Sequence, residues 1–195
     1  MLAVIMMTAA GCAPAGAELY QQARDANLTM KQEIAALQLH IFDGEWDVSQ
    51  YGDIAEACGA NGYRFVFGRS TPLDDGWRLP EESTEAKLDA LMAWLDEHGW
   101  SNIRLLSYSG DVTSTSIEAE KPSAHIDDLL LTFTPGIRND IVNLGITGTC
   151  EPGDKWELRD LMYPDDLENY EERPTEHPST EPKFGLATPS PTPTP

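Results

Sequence analysis

The chain has 195 residues, with 33 Asp and Glu against 13 Lys and Arg and a formal net charge of −20. That balance excludes a nucleic-acid binder, whose partner's phosphates demand clustered basic side chains, and it excludes electrostatic attachment to an anionic membrane surface. Hydrophobic residues make up 41% of the sequence, enough for the core of one domain of average size.

The chain opens on an apolar run from Leu2 to Ala10, followed by Gly11 and Cys12. The run is too short to span a bilayer as a helix, and small residues at its end read as the close of a secretory signal. No Lys or Arg precedes it. Although that departs from the basic lead-in of such signals, residues 1–12 are expected to form a signal peptide ending at Cys12, and residues 13–17 (APAGA) a spacer. The competing reading is a buried N-terminal strand or helix in which Cys12 has no special role.

From Glu18 to Phe42, the residues Leu19, Ala23, Ala26, Met30, Ile34, Leu37 and Ile41 recur at spacings of four and three. One apolar stripe on a helix follows, ended by Asp43-Gly44. Packing on the domain is the simplest use of the stripe; as a coiled-coil seam, with Ala at two of seven positions, it is thin. Trp46 and Val48 alternate with polar residues and predict a short strand, while Asp53 to Cys58 reads as a helical turn. Tyr63, Phe65 and Phe67 predict a strand with one aromatic face. Asp74-Asp75-Gly76 is a turn signal, with Trp77 and Leu79 as the return arm of a hairpin ended by Pro80.

Ser83 as a cap and a stripe of Leu88, Leu91, Met92 and Leu95 predict a second helix, closed by Gly99. Ile103 and Leu105 lie in the next strand. The order strand, helix, strand predicts that it pairs in parallel with Tyr63–Phe67 through a right-handed crossover. Three more strands are expected, over Thr115–Lys121, Leu129–Thr134 and Ile141–Thr149, separated by Pro122-Ser123 and Pro135-Gly136. In the last of them Val142, Leu144, Ile146 and Cys150 share the inward face. If Cys12 carries a lipid, Cys58 and Cys150 remain as a pair, and an exported compartment permits a disulfide between them. The expected fold class is α+β: a mostly antiparallel sheet with two helices packed on one face and one disulfide, over residues 18–163. Trp156 to Tyr163 should dock on this domain. Residues 164–195 are expected to be an acidic, then Thr/Pro-rich, disordered tail, its end (ATPSPTPTP) an extended polyproline arm.

Catalytic signatures are missing: there is no G-x-S-x-G, Walker loop, H-E-x-x-H or Cys-x-x-Cys. Ser107, Ser109, His125 and Asp127 supply the residue types of a hydrolase triad without a spacing that implies convergence. The acidic run Asp165, Asp166, Glu168, Glu171 and Glu172 lacks the glycine and the alternation of a calcium loop. No catalytic residue, metal ligand or cofactor is assigned. Trp46, Tyr51, Trp77 and Trp100 fall near predicted element ends, where they either stack on a carbohydrate or peptide or belong to the core.

The small residues before Cys12 resemble the lipobox of bacterial lipoproteins. With a helix-first domain, two further cysteines and low Lys with high Ala, the chain looks like the small cell-envelope lipoproteins of actinobacteria, such as the LppA-like group, over roughly residues 1–152. The resemblance implies lipidation of Cys12 and a domain tethered to the outer face of the cytoplasmic membrane. Its partners would be the membrane, through the lipid, and an envelope protein or glycan; it transfers no catalytic residue. The leading reading is a non-catalytic binding or scaffolding lipoprotein. The alternatives are an envelope hydrolase with a loop-assembled site and a soluble acidic protein without export.

Overall fold

The computed structural model describes residues 14–72, 84–108, 114–136, 140–163 and 175–185. Cys12, the hairpin arm of Trp77 and Leu79, Ser109 and the acidic run 165–172 lie outside the described residues.

The first helix, α1, spans Gly16–Ile41 and buries the expected stripe of Leu19, Ala23, Ala26, Met30, Ile34 and Leu37. It starts inside the stretch expected to be a spacer. Its first amide, on Gly16, donates to Glu157 Oε1 at 2.7 Å, which satisfies one of the donors that every helix start leaves over.

Four short strands follow: β1 (Trp46–Gln50), β2 (Glu56–Cys58), β3 (Gly62–Arg64) and β4 (Val66–Ser70). The helical turn expected over Asp53–Cys58 does not form: Asp53–Ala55 is loop and Glu56–Cys58 is β2, which pairs antiparallel with β3 (Ala57 opposite Tyr63). Gly59, at φ +59°, allows the reversal between them. The aromatic strand Tyr63–Phe67 keeps its phase, since Tyr63, Phe65 and Phe67 are all buried. It breaks at Phe65, however, and its two halves join different sheets.

After α2 (Thr84–Glu97) come β5 (Ser101–Tyr108), β6 (Ser114–Lys121), β7 (Ile126–Thr134) and β8 (Ile141–Gly148). The last elements are β9 (Glu151–Pro152), α3 (Lys155–Met162) and β10 (Thr175–Glu176). The main sheet runs β10-β1-β4-β8-β7-β6-β5, and β2-β3-β9 forms a smaller one. Every pairing is antiparallel. The parallel pairing expected for β5 is therefore absent. Strands β5 to β8 form a meander of consecutive partners, and β8 takes the place beside β4, which sends β5 to the far edge.

The fold is α+β, as expected, with three helices among the described residues rather than two. Alternate sheet residues, including Phe67, Ile117, Leu131, Leu144 and Ile146, form one core with the apolar faces of α1 and α2. Helix α3 packs against α1 through Leu158 and Met162.

Cys58 and Cys150 form a disulfide, with Cα atoms 5.8 Å apart and a sequence separation of 92. Cys150 is not on the core side, as its phase with Val142, Leu144 and Ile146 suggested; it is solvent-exposed, two residues past the end of β8. The inward phase stops at Gly148, where a Cβ would meet Met30 Sδ at 2.9 Å and the Phe65 carbonyl at 3.2 Å. The chain then leaves the sheet.

Part of the expected tail also belongs to the fold. Residues 175–185 form a strap across the domain. Thr175 and Glu176 pair with Asp47 and Trp46 of β1, and Phe184 is buried, edge-on to Tyr20 and Phe65 at 5.3 and 6.1 Å.

Candidate functional site

On α1, the polar residues Asn27, Lys31 and Gln38 flank the apolar stripe at spacings of four and seven and are buried with it. On β4, the inward alternation that buries Phe67 continues to Arg69 and then Thr71. A lysine and an arginine thus occupy core positions, at 7% and 3% exposure. Buried charges persist only when paired and hydrogen-bonded.

Both are. Arg69 Nε and Nη2 donate to the two carboxylate oxygens of Glu176, and Nη1 donates to the carbonyls of Gln50 and Gly68. Lys31 Nζ donates to Asp53 Oδ1 and, at 2.7 Å, to the Lys183 carbonyl. The Tyr51 ring lies under both cations, 4.9 Å from Lys31 Nζ and 5.2 Å from Arg69 Cζ. The loop carrying Asp53 is itself held in place: Asn27 Nδ2 donates to the Gly52 carbonyl at 2.6 Å, and the Tyr163 hydroxyl donates to that of Asp53. Burial pushes the Lys31 pKa below its ordinary value, and nearby Arg69 adds to this; the Asp53 carboxylate opposes it.

These residues border a cleft of about 240 Å³ between α1 and the strap. Lys31, Gln38, Tyr51 and Arg69 line it together with Glu45 and Glu181. The two cations already hold carboxylates, whereas exposed Glu45 and Glu181 have no basic partner within 4 Å among the described residues. Gln38 is 1% exposed, and its Nε2 has no hydrogen-bond partner. The cleft thus combines satisfied cations with unused donor and acceptor groups, a composition suited to holding a small polar molecule. Among the described residues, no group of three His, Cys, Asp or Glu is arranged to hold a metal ion.

Among the described residues, which exclude Ser109, the residue types of a hydrolase triad do not converge. His125 Nδ1 pairs with Glu151 Oε1 at 2.8 Å, and Asp127 accepts from the Thr149 hydroxyl. Ser107 lies opposite Thr115, at the end of β6 remote from His125. Of the aromatic candidates, Trp46 and Trp100 are core residues and Tyr51 lines the cleft; Trp77 is outside the described residues. Lys31, Asp53, Arg69, Glu176 and Gln38 were not singled out from the sequence. One signal was available: Arg69 continues the inward alternation of Tyr63, Phe65 and Phe67.

No family model and no curated protein matches the chain. Among solved structures, it is similar to the crystal structure of a DUF4853 family protein from Actinomyces odontolyticus. The TM-score is 0.44 at 14% identity, over 66% of this chain and 68% of that one. Among the described residues, no helix is long and apolar enough to cross a membrane.

Proposed function

We propose that the chain is a lipoprotein of the cell envelope, anchored through Cys12 at the outer face of the cytoplasmic membrane, whose domain is a non-catalytic binding or scaffolding module. The observation that carries this reading is the Cys58–Cys150 disulfide. Disulfides persist in oxidising, extracytoplasmic compartments. This one accounts for two of the three cysteines, leaving Cys12 directly after Ala9-Ala10-Gly11. The cleft between α1 and the strap supports the binding half of the reading.

Expression of the full-length chain in a bacterium that processes lipoproteins tests the anchor. Intact mass should show cleavage before Cys12 with added acyl groups, and the protein should enter the detergent phase on phase separation. Cys12→Ser should abolish lipidation and leave the protein in the aqueous phase. Mature protein that still begins at Met1 with an unmodified Cys12 thiol would overturn the reading.

A further inference from the structure

We propose that the cleft binds an organic cation of amino-acid size: an alkyl-ammonium group whose molecule also carries a hydrogen-bond acceptor. This deepens the binding half of the proposed function and does not depend on the anchor. The argument starts from charge. Lys31 and Arg69 are each occupied by a carboxylate, from Asp53 and Glu176, and His177, which lines the same cleft, lies 3.7 Å from Asp43, so each basic side chain of the lining already faces a carboxylate. The charge left over is negative, on Glu45 and Glu181, which line the same cleft and are exposed. An ammonium group is their complement, and a net charge of −20 raises the local concentration of any cation.

The second requirement comes from Gln38. Its side chain lines the cleft, is almost wholly buried and carries an amide nitrogen without an acceptor. Buried polar groups in native proteins are nearly always partnered, so a carbonyl, carboxylate or hydroxyl oxygen from the occupant is the missing acceptor. Tyr51, Pro178 and Pro182 line the cleft and offer apolar surface to a methylene stem. The volume, about 240 Å³, lies below the range that takes drug-sized ligands. A free basic amino acid and a lysine side chain with its own backbone carbonyl present the same chemistry.

Calorimetric titration of the full-length protein in detergent, at low salt, tests this. The probes are L-lysine, Nα-acetyl-lysine amide, cadaverine, norleucine and glutamate. At least one of the two lysine probes should bind with a submillimolar Kd, cadaverine more weakly because it lacks the acceptor, and norleucine and glutamate not measurably. Preference for free L-lysine identifies a small solute as the natural source; preference for the blocked form identifies a protein side chain. Glu45→Gln with Glu181→Gln should weaken lysine binding at least tenfold. Gln38→Leu should weaken it while leaving cadaverine unchanged. If Gln38→Leu does not fold by near-ultraviolet circular dichroism, the double variant at the exposed carboxylates decides alone. Absence of binding by every amine at millimolar concentration would overturn the proposal. Equal binding of all amines, unmoved by the double variant, would do the same, marking general attraction to an acidic surface. Detergent partitioning is read separately, so either failure leaves the anchor untouched.

Discussion

Arg69 and Glu176, 107 residues apart, meet in a two-pronged ion pair whose Nη2–Oε2 arm measures 3.1 Å. The arginine side chain is 1% exposed and the glutamate 17%. Removing the carboxylate alone strands a buried guanidinium. Glu176→Ala should therefore destabilise the domain by about 3 kcal/mol, at the lower end for a broken buried pair because the glutamate is partly solvated. Arg69→Met combined with Glu176→Leu should recover much of that loss. Urea denaturation, compared at constant m-value, checks both. Equal losses for the single and the double variant would contradict the account.

The strap makes a second, apolar attachment at Phe184. Its ring is 8% exposed and packs on Tyr20 and Phe65. Phe184→Ala should destabilise by about 3 kcal/mol through lost burial and the cavity left behind. Truncation after Gly185 removes only the Pro-rich segment and should move the melting temperature by about one or two degrees at most. Thermal unfolding of the two proteins side by side reads the contrast.

Replacing Cys58 and Cys150 by alanine together should destabilise the domain by about 2 to 5 kcal/mol, because the bond closes a long loop in the unfolded chain. Since Cys150 is solvent-exposed, a mild reductant should also open the bond in the folded protein. Thiol titration after such treatment, without denaturant, should find two new thiols.

At the far end of α1, the Trp94 ring is stacked between His40 at 4.5 Å and His98 at 3.9 Å. Partial burial, and secondarily His98, lower the His40 pKa from its ordinary 6.5. The folded state therefore disfavours the imidazolium relative to the unfolded chain. The stability this group contributes is present above pH 6.5 and is lost as pH falls through the lower folded-state value. The melting temperature should decline across that window, and His40→Gln should flatten part of the decline.

The long-period features of the fold were legible. The α1 stripe and the inward phase of Val142, Leu144 and Ile146 follow from burial of one face, which periodicity records directly. The partner of each strand was not. The order strand, helix, strand around α2 argued for a parallel pair, but the place beside β4 is filled by β8, a choice made by tertiary packing. Phe65 kept its phase while the strand around it divided, because alternation reports which face is buried and not which sheet buries it. The cleft was hidden for a different reason. Its ion pairs link Lys31 to Asp53 and Arg69 to Glu176, charged residues that look alike in a strongly acidic chain.

The strap has a consequence for the order of assembly. A ribosome delivers Lys31 and Arg69 long before Glu176, Lys183 and Phe184, so a nascent chain holds two buried-site cations whose last partners do not yet exist. The β5–β8 meander, built from sequence neighbours, has everything it needs as soon as it emerges. The wall of the cleft is finished only when residues 175–182 pack beside the first helix. A chain stopped short of that point lacks both the edge strand β10 and one wall of the cleft.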